Sequence, residues 1–114
     1  MSHHESSSLN NCIKTCLECY QICLSTAMNH CLEMGGKHVE PDHFRLMINC
    51  AQICKTAAEF MLSNSSFHAK VCAVCSEICK ACADDCKKVG DMEACVAACQ
   101  RCSEECKAMS NGKN

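Results

Sequence analysis

Cysteine supplies sixteen of the 114 residues. The thiols fall at Cys12, Cys16, Cys19, Cys23, Cys31, Cys50, Cys54, Cys72, Cys75, Cys79, Cys82, Cys86, Cys95, Cys99, Cys102 and Cys106. A thiol gives up its proton to become a soft thiolate, and soft sulfur ligands select Cu(I), zinc and iron–sulfur clusters. The spacing C-x3-C-x2-C-x3-C occurs at Cys12–Cys23, Cys75–Cys86 and Cys95–Cys106, and Cys50 and Cys54 add one further C-x3-C. Steps of three and four match the helical repeat of about 3.6 residues, so each copy forms a stripe down one helix face. Residues at i and i+4 place their β-carbons about 5–6 Å apart. Two such sulfurs reach opposite sides of one Cu(I) ion by rotamer adjustment. Straight stripes supply such pairs more readily than the closed tetrahedra that zinc prefers. A ladder of pairs holds many Cu(I) ions, on the order of one per thiolate if sulfurs bridge.

Borderline and soft ligands share these faces. At about 100° per residue, the first stripe continues through Ala27, His30 and Met34, with Cys31 on its flank. His43, Met47, Cys50, Cys54, Ala57 and Met61 share one line, and His68 lies on that of Cys75, Cys79 and Cys86. Met92 and Met109 bracket the last stripe. A lone histidine on a helix face is as often a satisfied residue as a ligand, and methionine is a good core filler. That weighs on His30, His43 and His68, and on Met61 and Met109. His3 and His4 read as tail, His38 as loop and Met28 as packing. Asp84-Asp85, Lys87-Lys88 and Glu104-Glu105 read as solvated faces.

Four helices must position the stripes, over about 8–34, 41–63, 67–89 and 92–109. Ser7 or Ser8 would cap the first and Gly35-Gly36 would end it. Pro41 suits the first turn of the second, with Asp42 at its positive end. Asn64-Ser65-Ser66 would turn and cap, and Gly90-Asp91 would stop one helix and cap the next. Short connections make neighbours antiparallel. The expected fold is all-α, an up-down-up-down four-helix bundle with a cysteine-lined core, in a single domain spanning 1–114. One end of such a bundle gathers His30, Cys31, Met34, His43, Met47, Cys86, Met92 and Cys95. The other gathers Cys12, Met61, His68, Cys72, Cys106 and Met109. Mixed histidine and methionine ligands hold Cu(I) less tightly than paired thiolates, so His30, His43 and Met47 are the expected entrance. A second apolar strip on the first helix, Ile13, Leu17, Tyr20, Leu24 and Met28, faces either the second helix or a neighbouring chain.

A net charge of −2 offers no footprint for nucleic acid. No apolar run is long enough to span a bilayer, and the N-terminus shows no secretory h-region, so a reducing cytoplasm is the expected compartment. There the cysteines point to metal or redox chemistry rather than to a disulfide scaffold. No phosphate-cradling glycine loop, HExxH or nucleophilic triad stands out, so no enzyme is expected. Two alternatives stay open: a zinc-buffering thiolate protein, and a thiol redox or iron–sulfur electron-transfer protein.

From Cys12 to Met109 the chain resembles the four-helix-bundle copper storage proteins, in particular their cytosolic branch, once labelled ferredoxin-like. The resemblance rests on the three C-x3-C-x2-C-x3-C copies, the C-x3-C of the second helix, and Met92-Glu-Ala-Cys-Val-Ala-Ala-Cys-Gln-Arg-Cys-Ser-Glu-Glu-Cys106. It implies a tetramer of bundles, many Cu(I) ions along each bundle axis, and an entrance near histidine and methionine. Copper ions, and copper chaperones or small-molecule copper ligands, would be the partners. The chain departs from the family pattern in its second helix, which has two cysteines beside Met47, Ala57, Ala58 and Met61. It also lacks histidines between the third and fourth helices.

Overall fold

A computed structural model describes residues 3–112, with side chains from Ser7 onward. The expected tail residues 1, 2, 113 and 114, and the side chains of His3 and His4, lie outside it. Helix α1 runs His3–Ser25 and passes through a π-helical turn, Thr26–Cys31, into a last short turn, α2, Leu32–Met34. A 3-10 turn, Gly36–Val39, leads to α3, Pro41–Leu62. Helices α4, His68–Val89, and α5, Glu93–Ser110, complete the chain.

Local chemistry explains most of the boundaries. Gly35 and Gly36 adopt φ of +66° and +55°, a region where a Cβ is strained, and the first helix stops there. Pro41 occupies the first position of α3, where its missing N–H costs no bond. The Glu40 side chain caps the same end by accepting from the His43 N–H at 3.2 Å. Ser65 Oγ accepts from the Phe67 N–H at 3.1 Å ahead of α4.

Some expected caps are corrected. Helix α1 begins ahead of Ser7 and Ser8, so neither caps it; no glycine or proline breaks the chain there. Asp91 is not the cap of α5 either. It sits at φ +59° in the turn, and the cap position falls to Met92, which is buried.

α1 packs on α3 and α5, and α4 packs on the same two, so α1 and α4 face each other diagonally. Residue pairings make each neighbour antiparallel: Cys12 meets Cys106 while Cys23 meets Cys95, and Cys50 meets Cys79 while Cys54 meets Cys75. The bundle is a rod of 50 × 20 × 19 Å. Its axis is filled by cysteine, alanine and methionine, with Leu17, Tyr20, Leu24, Phe44 and Ile53 half-buried around them. Cysteine behaves here as a small hydrophobe, which allows close helix approach. On the α4–α5 seam Ser76 and Ser103 each donate to the other's carbonyl, at 2.8 and 2.9 Å.

Candidate metal centre

All sixteen cysteines are free thiols and all are buried. The shortest sulfur–sulfur approaches run between helices: Cys16–Cys106, Cys23–Cys99 and Cys54–Cys79 at 3.4 Å, and Cys23–Cys95 at 3.5 Å. Within one helix Cys19–Cys23, Cys82–Cys86 and Cys102–Cys106 stand at 3.9 Å, and Cys75–Cys79 at 3.8 Å.

Twelve thiols gather into groups of four whose sulfurs all lie within 4.8 Å of one another. In order along the rod these are Cys16/Cys75/Cys102/Cys106, Cys54/Cys75/Cys79/Cys102, Cys19/Cys50/Cys54/Cys79, Cys19/Cys23/Cys50/Cys99 and Cys23/Cys82/Cys95/Cys99. Each group shares two cysteines with the next. The stripes therefore close into four-sulfur cages that share edges, where the helical period suggests separate pairs. The reason is inter-helix register, which brings stripes from three helices to one level in every group. Cys12, Cys31, Cys72 and Cys86 belong to no group of four. Cys12 lies 4.0 Å from Cys106, and Cys86 lies 3.9 Å from Cys95.

The thiols govern one another's protons. Burial pushes the Cys31 thiol up, with the fields of Cys95 and Cys82 adding to it. Cys54 and Cys99 are also pushed up, first by hydrogen bonding with Cys102 and Cys19 respectively, and by burial as well. Cys102 is held down at about 7, chiefly by hydrogen bonding with Cys106 and then with Cys16. A thiolate in a cage is thus supported by neighbours that keep their own protons. Cations must replace those protons before the whole column is ionised.

At one end the π turn changes the sequence reading. An α-helical phase puts His30 and Met34 on the stripe and Cys31 on the flank. The extra residue of the π turn rotates the helix back. Cys31 is fully buried, 3.6 Å from the fully buried Met47, and Met34 points outward, 55% exposed. Met28 is exposed too, so it is no packing residue within this chain. His43 is buried, with its Nδ1 2.5 Å from Asp85 Oδ2. His30 is half-buried, its ring edge-to-face with His38 at 5.0 Å.

His38 and Asp85 were not singled out by spacing. His38 is buried in the 3-10 turn rather than lying in an open loop, and no helical period reaches it. Burial, then the nearby His30 and His43, lower its proton affinity. Asp85 is no freely solvated charge, because it holds His43. Its signal was its place on the flank of the Cys82–Cys86 stripe. At the far end the His68 ring bonds the Ser65 carbonyl at 2.9 Å, and Met61 and Met109 are buried.

The sequence profile of the copper storage proteins matches residues 5–111. The chain belongs to the copper storage protein family. Among solved relatives of the family fold, the Nmul_A1745 protein of Nitrosospira multiformis is 56% identical, with a TM-score of 0.92 over 93% of this chain and 97% of that one. The Cu(I)-bound copper storage protein BsCsp3 is 34% identical, TM-score 0.84, over 90% of this chain and 98% of that one. The apo form of copper storage protein 3 from Bacillus subtilis is 35% identical, TM-score 0.79, over 89% and 97%. The cysteine-rich protein YhjQ of Bacillus subtilis is 36% identical over 66 residues, which take in 58% of this chain and 60% of that relative. No helix among the described residues is long and apolar enough to cross a membrane.

Proposed function

We propose that this chain stores copper, holding many Cu(I) ions along the bundle axis as bridged thiolates. The observation that carries this reading is the edge-sharing of the four-sulfur cages. Shared edges suit a metal that accepts bridging sulfur. Charge favours the same ion. Buried charge must be neutralised, and one Cu(I) per thiolate does so.

Zinc is the rival, because four sulfurs about 3.8 Å apart surround a tetrahedral ion with 2.3 Å bonds. The twelve caged thiols divide into three groups with no shared member: Cys16/Cys75/Cys102/Cys106, Cys19/Cys50/Cys54/Cys79 and Cys23/Cys82/Cys95/Cys99. Twelve thiolates at four per ion make three zinc sites. Three divalent ions against twelve negative charges leave six uncompensated in a dry core, which disfavours zinc filling.

All sixteen cysteines are assigned as Cu(I) ligands, and His30, His43 and Met47 as ligands of the entrance. Membership of a family of copper storage proteins supports a role as a store rather than a catalyst. We place the chain in the cytoplasm, where thiols stay reduced. Its partners are then copper chaperones or small-molecule copper ligands that deliver and withdraw the ion. A homotetramer is supported by the half-buried Leu17, Tyr20 and Leu24 on α1 and the exposed Met28 in the π turn that follows it.

Anaerobic titration of reduced protein with Cu(I) against a competing chelator, beside a parallel Zn(II) titration, tests the reading. Uptake far above three Cu(I) per chain is expected, with zinc stopping near three. Saturation at three or fewer Cu(I), or displacement of Cu(I) by Zn(II), would overturn it.

A further inference from the structure

Cys12, Cys86 and Cys95 line clefts on the surface of the rod. Cys86 and Cys95 do so at the end that carries His30 and Met92. Cys12 does so at the opposite end, in a cleft of about 590 Å³ on the seam between α1 and α5. Among the described residues no histidine lines that cleft. Cys12 is the outermost link of the thiol column at this end. It belongs to no group of four, and its sulfur lies 4.0 Å from that of Cys106, a member of the first cage. An ion on Cys12 therefore has fewer sulfurs around it than an ion in a cage, and it stands beside the cleft.

The charges of the seam select what the cleft can hold. Thr15 donates to Glu105 Oε1 at 3.0 Å, and Glu18 stands 4.0 Å from Arg101, so both acids of the cleft have partners. Lys14 lines the same cleft and pairs with no acid among the described residues. Ser8 and Asn11 add a hydroxyl and an amide to the wall. An ammonium with two neutral donors nearby suits one carboxylate. The volume falls within the range of about 300–1,000 Å³ that holds small molecules.

We propose that the α1–α5 cleft is the outlet of the store, where Cu(I) passes to a small thiol that carries a carboxylate: Lys14 takes the carboxylate and Cys12 hands over the ion. The proposal rests on reading the chain as a copper store, and it deepens that reading by naming the class of ligand that withdraws the metal. The incoming sulfur bonds to a Cu(I) ion held between Cys12 and Cys106 as the bond from copper to Cys12 breaks. The proton of the incoming thiol passes to the Cys12 sulfur. A second thiol repeats the exchange at Cys106. Cu(I) leaves with two new thiolates, both cysteines regain protons, and no electron is transferred. Cys106 lies 3.4 Å from Cys16, and the cages share edges, so ions deeper in the column can move up to refill the position.

The test uses a matched pair of thiols, N-acetylcysteine and N-acetylcysteamine, which differ by the carboxylate. Each is added anaerobically to Cu(I)-filled protein with a coloured Cu(I) chelator as final acceptor, and the rate with chelator alone is subtracted. N-acetylcysteine should withdraw Cu(I) about three- to fivefold faster, the worth of one part-exposed ion pair. Lys14→Gln should bring the two rates together, and Lys14→Arg should keep them apart. Cys12→Ser should slow withdrawal by both thiols by roughly an order of magnitude, because a hydroxyl is too hard a ligand for Cu(I). Glu77→Gln, an exposed change on α4, serves as the control, and circular dichroism checks that each variant remains helical. Equal rates for the two thiols, an unchanged rate in Cys12→Ser, or slowing by changes at His30, His43 and Met47 instead would overturn the outlet. A metal-free readout separates it from storage. Reduced protein is labelled with a limiting mixture of iodoacetate and iodoacetamide and mapped by mass spectrometry. Cys12 should be labelled ahead of Cys16 and Cys106, and its share of iodoacetate should fall in Lys14→Gln. A low Cu(I) count with this labelling intact defeats storage alone, and a high count without it defeats the outlet alone.

Discussion

The Sγ of Cys31 lies 3.6 Å from the Sδ of Met47, across the interface between the first helix and α3. The contact exists because the π turn Thr26–Cys31 swings Cys31 inward. The pair lies at the same end of the bundle as a cleft lined by His30 and by Cys95, and Cys95 belongs to the cage Cys23/Cys82/Cys95/Cys99.

Loading should therefore be slowed by changes at this end with little loss of capacity. Met47→Leu conserves volume and should cost less than about 1.5 kcal/mol of stability, yet slow Cu(I) uptake. Replacing His30, His43 and Met47 together should slow it further. Stopped-flow loading from a chelated Cu(I) donor measures both. Unchanged rates, with slow uptake after changes at His68 and Met61, would put the entrance at the other end.

Capacity should depend on where a thiol sits in the column. Cys54 belongs to two cages, whereas Cys72 belongs to none. Cys54→Ser should remove more bound Cu(I) than Cys72→Ser, and changing both members of Cys50/Cys54, Cys75/Cys79 and Cys102/Cys106 in turn should lower the count stepwise. Metal analysis of gel-filtered protein gives the counts. Equal losses at Cys54 and Cys72 would mean that the ions are not held by the cages.

Filling should release protons. The Cys31, Cys54 and Cys99 thiols are raised above the ordinary cysteine range, so they stay protonated at pH 7 and each must lose its proton to bind as thiolate. Cys102, held down by hydrogen bonding with Cys106 and Cys16, gives up its proton more readily than these. Cu(I) uptake at pH 7 should thus liberate nearly one proton per raised thiol, and affinity should fall as pH drops. An indicator dye in weak buffer reads the release directly. Uptake without acidification would mean that neutral thiols bind the metal.

The reduced protein should be helical before any metal arrives. The rod already buries Ala27, Ala57, Ala58, Met47 and Met61 with the thiols, and the Ser76–Ser103 bonds close the α4–α5 seam. Far-ultraviolet circular dichroism of reduced, chelator-treated protein checks this. A coil spectrum that turns helical on adding Cu(I) would show that the metal supplies the fold.

The all-α bundle was legible along the chain because the helical period is a local property. Steps of three and four put Cys12, Cys16, Cys19 and Cys23 on one face whatever lies opposite, and Pro41 can only begin a helix. The same local logic failed at Cys31, because an α-period carried through Thr26–Cys31 has no place for the extra residue of a π turn. It also read Asp85 as solvated and His38 as open loop, since neither contact partner is near in sequence. The cages lay beyond it for the same reason. Whether Cys54 meets Cys79 at 3.4 Å and Cys102 at 3.7 Å depends on how α3, α4 and α5 rotate and slide against one another. Packing of side chains from all the helices sets that register, and it turns four stripes of thiols into one edge-sharing column.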